Sequence, residues 1–231
     1  MKSIKRVSFT EETLAFLEEL SRNNNREWFA ANKQRYEEHV LDVALEFIQS
    51  MQAPLAEIAP HFTAVPRRMG GSLMRVYRDT RFSRNKAPYK TNIGIQFRHE
   101  NARDVHAPGY YLHIDPGEVF LGVGMWRPEP VALAAVRRRI DEKRAEWLKA
   151  RDDRKFRRYF ELGGESLSRP PKGISKDHPL LDDLRRKDFI AARNLETTDP
   201  LQARFQQQVE AAFAAATPFM RFLCKAVGVP F

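Results

Sequence analysis

The hydrophobic period of this chain changes twice, and that change restricts its fold more than any other feature. Up to about Pro54, apolar residues recur every three to four positions; from Gly70 to Trp126 they alternate; beyond Pro130 the helical spacing returns. Helical segments flanking a block of alternating segments predict an α+β fold: one domain over residues 1–231, with a sheet between helices from both ends of the chain.

Local signals sharpen this reading. Thr10 precedes Glu11 and Glu12 and reads as a helix N-cap, with Phe9 placed to pack on Leu14. Asn24 is the expected cap of a second helix, whose stripe of Trp28, Phe29, Tyr36, Val40, Val43, Phe47, Ile48 and Met51 runs to about Pro54. Leu73–Arg78, Ile93–Arg98, Tyr110–Asp115, Val119–Trp126 and Phe189–Leu195 read as strands, about five in all. Asp115-Pro116-Gly117-Glu118 is a hairpin turn, so the sheet is expected to be mainly antiparallel, with one solvated face. Leu112, Ile114, Leu121, Val123 and Met125 then face the core; Tyr111, His113, Gly122, Gly124 and Trp126 occupy the other side. Long helices are expected from Leu133 to Leu148 and from Pro200 to about Ala226, and Gly163–Asp177 as an ordered loop.

A chain of 231 residues with 42% apolar and 11% aromatic content can bury a substantial core. No run approaches membrane-spanning length, and Met1–Thr10 lacks the apolar run and cleavage site of a signal peptide, so a cytoplasmic protein with no membrane partner is expected. Cys224, the single cysteine, lies in an apolar segment and reads as inert core.

The net charge of +9 is unevenly distributed. Residues 67–90 hold 8 basic residues and 1 acidic one. Within Arg75–Lys90, Arg75, Arg78, Arg81, Lys86 and Lys90 alternate with Tyr77, Phe82, Pro88 and Tyr89. Arginine suits a fixed oxyanion because its planar fork donates two parallel charge-assisted hydrogen bonds, and lysine adds a point charge. The interleaved aromatics point to a loop packed on the domain, so the segment is the candidate anion site, with Tyr77, Tyr89, Tyr111 and Trp126 shaping it. The ligand is then a phosphorylated or other anionic small molecule, or alternatively a nucleic-acid backbone or an acidic protein partner.

Several motifs together resemble a known family. Asn24-Asn25-Arg26-Glu27-Trp28-Phe29 with Asn32-Lys33 and Tyr36, Arg78-Asp79-Thr80-Arg81-Phe82-Ser83 with Lys86, Pro88-Tyr89-Lys90-Thr91, Gly109-Tyr110-Tyr111, Gly122-Val123-Gly124-Met125-Trp126 with Pro128, and His178-Pro179 are similar to the uncharacterised bacterial and fungal family catalogued as domain of unknown function 2461. The resemblance covers about Phe9 to Leu223 and implies no activity or cofactor. Arg84-Asn85-Lys86 departs from it, since relatives more often carry an aspartate in the middle position.

Other candidates rest on less. Asp79 and His113 are the nearby groups that could transfer protons if the protein is an enzyme. Asn23–Arg26 opens a helix and could complete an anion site. His99 and His106 flank a polar loop containing Asp104, but no metal-ligand spacing occurs and no metal site is expected. Gly122-x-Gly124 falls within a strand, where it marks close backbone approach and is no dinucleotide fingerprint. Arg137, Arg138 and Arg139 would extend a nucleic-acid surface if they adjoined the 67–90 cluster.

Overall fold

The computed structural model describes residues 8–81, 83–101 and 107–231. Phe82, Asp104 and His106 therefore lie outside the described residues, as does most of Met1–Thr10.

Helix α1 (Glu11–Arg22) starts where expected: Thr10 Oγ1 accepts from the Thr13 amide, and Thr13 Oγ1 accepts in return from the Thr10 amide. The next apolar stripe is broken into α2 (Arg26–Ala31), α3 (Lys33–Tyr36), a π-helical turn (Glu37–Leu41), α4 (Asp42–Ser50) and α5 (Gln52–Ile58). The π turn frees the His39 carbonyl, and the buried hydroxyl of Thr13 donates to it at 2.6 Å, locking α1 to the turn. Pro54 does not end the stripe as expected. It sits in the first turn of α5, where its missing N–H costs no helical hydrogen bond.

The sheet follows: β1 (Phe62–Thr63), β2 (Ile93–His99), β3 (Gly109–Asp115) and β4 (Glu118–Met125). After α6 (Pro130–Glu142), α7 (Arg144–Arg151) and α8 (Arg154–Tyr159) come β5 (Glu161–Leu162), α9 (Leu181–Leu184), β6 (Phe189–Leu195), α10 (Phe205–Ala215) and α11 (Thr217–Val227). Six antiparallel strands lie in the order β1-β2-β3-β4-β6-β5. The β3–β4 hairpin closes on Pro116-Gly117, with Asp115 Oδ1 accepting from the Gly117 amide at 2.9 Å. The expected terminal helix is divided because Pro218, in the first turn of α11, cannot continue the hydrogen bonding of α10. No helix among the described residues is long and apolar enough to cross a membrane.

The helices cover one face of the sheet. Leu112, Ile114, Leu121, Val123 and Met125 point into that layer, where Phe97 and Tyr110 meet Phe213 and Trp147 meets Phe189, Phe219 and Phe222. Cys224 is buried there, as its apolar segment leads one to expect, and burial pushes its thiol up to about 12, away from the reactive thiolate. Among the described residues the other face has no helical layer. It presents three cross-strand rows, Arg98–Gly109–Gly124–Ile190, Gln96–Tyr111–Gly122–Ala192 and Gly94–His113–Phe120–Asn194.

One expected strand is absent. Leu73–Arg78 forms single bridges, Leu73 with Ile95 and Tyr77 with Tyr89, and otherwise belongs to a long loop. Its alternation is real, because Leu73 and Val76 pack on the core while Met74 lies over the open face. The chain then folds back on itself, with the Arg78 amide donating to Pro88 O and the Lys90 amide to Val76 O, so no continuous partner strand is in reach.

Candidate functional site

The basic loop is packed on the domain by Tyr89. Its ring is buried and stacked on Phe29 with centroids 4.0 Å apart, and Tyr77, more than half exposed, leans on it at 5.5 Å. Asn24 clasps the same residue: its Nδ2 donates to Tyr89 O and its Oδ1 accepts from the Tyr89 amide, both at 3.0 Å. The expected helix cap is consequently Asn25, whose side chain accepts from the Trp28 amide at 2.9 Å. With both asparagines so engaged and α2 only 6 residues long, Asn23–Arg26 is explained by capping and by this clasp.

The cations of the loop divide by what they touch. Arg81 forms a forked pair with Asp79, Nε to Oδ1 at 3.0 Å and Nη2 to Oδ2 at 2.7 Å. Arg68 reaches Glu37 and Asp42. Arg78 donates to Ala87 O and Lys86 to Thr80 O, which stitches the loop to itself. Arg75 and Lys90 have neither ion pair nor side-chain hydrogen bond among the described residues. Lys90 is half-buried; burial, and then the charge of Arg75, hold its ammonium below its ordinary range.

The proton-transfer candidates are not assembled together. The hydrogen bond from the Arg81 side chain, and then the one from its amide, bring Asp79 down to about 2, so it is a permanent carboxylate at neutral pH. His113 lies on the open face, stacked on Phe120 at 4.7 Å. The Tyr111 hydroxyl and Asn92 Nδ2 both approach its Nδ1, at 3.1 and 3.4 Å. An amide nitrogen can only donate, so the Asn92 contact favours Nδ1 as the acceptor and the ring proton on Nε2, with the Tyr111 hydroxyl free to turn its proton towards Nδ1. Burial lowers the His113 pKa against the opposing pull of Asp115 and Glu118, and burial pushes Tyr111 up to about 12, so both are neutral near pH 7. Among the described residues no group of His, Cys, Asp or Glu could hold a metal ion. His99 is buried, bonded through Nε2 to Pro230 O and through Nδ1 to the Asn101 amide.

Tyr111 and Trp126 do share a site, a trough of about 450 Å³ on the open face. Its walls are Met74, Tyr111, Phe120, Trp126 and Ile190, and its floor is the backbone of Gly109, Gly122 and Gly124. The close approach expected of Gly122-x-Gly124 is real at Gly124, where φ is +114° and a Cβ would lie 2.0 Å from Phe189 O. Beyond it, Arg127 adopts φ +46°, a conformation disfavoured outside glycine, with its amide donating to the buried Asp188 at 2.6 Å. That kink ends β4 and presents Trp126, about half exposed, under the Arg127 guanidinium at 4.9 Å.

Gln96 is the site residue that the strand pattern did not single out. It is 7% exposed, lines the trough, and its Oε1 is buried with no hydrogen-bond partner. The signal lies in Ile93–Arg98, where Gly94, Gln96 and Arg98 alternate with three apolar residues and so share the outward face of that strand. Met74 was hidden because it comes from the loop and only one of its neighbours bridges the sheet.

The two basic segments do not adjoin. Arg137 donates to Arg186 O, and Arg186 to Gly163 O, beside β5 at one edge of the sheet, whereas the 67–90 loop attaches at the β1–β2 edge. Arg139 is paired with Glu146.

Comparison with curated proteins finds no match, and comparison with solved structures finds none. A family model described as "Conserved hypothetical protein (DUF2461)" matches residues 12–222, nearly all of the helical layer and the sheet with its open face, and the chain belongs to that family.

Proposed function

We propose that the protein binds a small anionic ligand, a phosphorylated molecule, where the basic loop meets the open sheet face. Arg75 and Lys90 supply the charge; Tyr111 and Trp126 are walls of the adjoining trough. The observation that carries this reading is the pairing of two like charges, one of them half-buried, with no carboxylate in ion-pair contact with either among the described residues; Asp79, whose ionised form Arg75 also favours, is taken up by the fork of Arg81. Desolvating a cation next to another cation costs free energy that a bound oxyanion returns. Arg78, Arg81 and Lys86 shape the loop in this scheme, and Tyr77 and Tyr89 anchor it.

The test is a thermal-shift panel of inorganic phosphate, sugar phosphates, nucleotides and short oligonucleotides at two salt concentrations. A ligand at about 100 times its Kd stabilises the native state by roughly 2.7 kcal/mol, which at this chain length raises Tm by about 5–10 °C. Lys90→Ala and Arg75→Ala should each remove that shift, and Arg81→Ala should leave it. An oligonucleotide response that falls steeply with salt, without a small-anion response, would replace this reading with a nucleic-acid one. A flat panel with a co-purifying acidic protein would replace it with a protein partner.

A further inference from the structure

Resting on that anion-binding reading, a second observation narrows the ligand. The trough is walled by apolar and aromatic side chains, yet Gln96 also lines it, with its Oε1 buried and without a partner among the described residues. Buried polar groups are nearly always paired, and Gln96 differs from the Tyr110 hydroxyl and Trp147 indole of the core, likewise unpartnered among the described residues, in lining a cleft, where a ligand's polar edge could meet it. A purely aliphatic ligand would leave Gln96 unpaired. A planar heterocycle with a donor beside an acceptor would satisfy it.

The surroundings favour such a ring. Tyr111, Phe120 and Trp126 supply aromatic faces, and the glycine floor lets a flat group lie close to the backbone. Gln96 Nε2 reaches over Gly109, where a Cβ would come within 3.4 Å of it. We propose that the trough is a base-binding subsite, that Gln96 accepts from the amino group and donates to the adjacent ring nitrogen of adenine, and that the anionic ligand is an adenine nucleotide. Glutamine pairs with that edge of adenine in two parallel hydrogen bonds, whereas the corresponding edge of hypoxanthine or guanine offers two acceptors. The basic loop reaches the trough at Met74, the chain neighbour of Arg75. A ribose would join a base at Gln96 to a phosphate held by Arg75 and Lys90.

Calorimetric titration of the full chain with AMP, IMP, adenosine, ribose 5-phosphate and inorganic phosphate tests this. AMP should bind about ten- to hundred-fold tighter than IMP, the cost of facing a buried acceptor with another acceptor. Gln96→Met, close in volume, should erase the AMP/IMP difference while leaving ribose 5-phosphate affinity unchanged. Gly122→Val, which narrows the floor without touching Gln96, should weaken AMP and spare phosphate. If phosphate and ribose 5-phosphate bind as tightly as AMP and lose affinity in Lys90→Ala, the base subsite is overturned and the anion reading stands. Adenosine binding as tightly as AMP, with Gln96→Met weakening both, would keep the base subsite and overturn the role of Arg75 and Lys90. AMP affinity lost in Arg98→Ala and kept in Arg75→Ala and Lys90→Ala would overturn the proposed orientation. No binding by any of the five would overturn both.

Discussion

Gly122 and Gly124 lie two residues apart in β4, both facing the trough, and their substitution by alanine should act in opposite directions. At Gly122 a Cβ would stand 3.6 Å from Tyr111 Cβ and 3.7 Å from Tyr111 Cδ1, ordinary contact distances, and the backbone is not left-handed. Alanine there restricts the unfolded chain without straining the native one, a gain of about 0.4–1 kcal/mol. For a chain of this length that is a rise in Tm of roughly 1–4 °C. At Gly124 the added carbon would sit 2.0 Å from Phe189 O with φ at +114°. The conformational cost alone is about 1–3 kcal/mol, and β4 must also part from β6 to relieve the clash. Gly124→Ala should therefore lose several degrees at least, or fail to accumulate as folded protein. Differential scanning calorimetry of the two variants beside the parent decides the matter. Equal destabilisation by both would refute the open floor at Gly122, and with it the trough as a place where a ligand lies.

Two further outcomes are expected. Asn24→Ala leaves both the N–H and the C=O of Tyr89 without their partner, so it should cost about 1–3 kcal/mol and speed tryptic cleavage within Arg75–Lys90; an unchanged digestion pattern would show that the stack on Phe29 holds the loop unaided. His113 should titrate by NMR below its ordinary value of 6.5. Because its folded pKa is depressed, the unfolded chain binds more protons in the window beneath 6.5, so the contribution of His113 to stability is complete above 6.5 and declines as pH falls towards its folded midpoint. Urea unfolding at pH 7.5 and 5.5 should show a larger loss for the parent than for His113→Gln, and equal losses would contradict the assignment.

The helices, the four long strands and their inward faces were legible because burial imposes its period directly on sequence, as at Leu112, Ile114, Leu121 and Val123. Misreadings arose where a long-range partner decides the outcome. Leu73–Arg78 alternates like a strand, but its ladder is broken when the loop folds back through Pro88 and Lys90. Asn24 resembles a cap until Tyr89, 65 residues away, takes both of its amide groups. The charge run located the loop, yet composition could not separate Arg81, answered by Asp79, from Arg75 and Lys90, because that distinction depends on where a carboxylate lands. Glycines within a strand signalled close packing, which is correct for Gly124 and insufficient for Gly122.

That last contrast bears on what the open face is for. Four glycines point outward from β2, β3 and β4, and glycine within a strand gives up about 0.5–1 kcal/mol relative to alanine. Packing accounts for two of them. A Cβ at Gly94 would come within 2.9 Å of the Tyr111 hydroxyl and one at Gly124 would strike Phe189 O, whereas one at Gly109 would make ordinary contacts at 3.4 Å with Gln96 Nε2 and Phe97 O. Gly122 has room for a methyl group and lies opposite Tyr111, in the same cross-strand row as the unpaired Gln96 amide. A side chain forgone where one would fit, beside a polar group left unsatisfied where a partner would be worth about 1–3 kcal/mol, sets this row against the stability of the chain alone. Both concessions line the same trough, on either side of Tyr111, and the proposed flat, hydrogen-bonding ligand would offset both by covering the glycine floor and meeting Gln96.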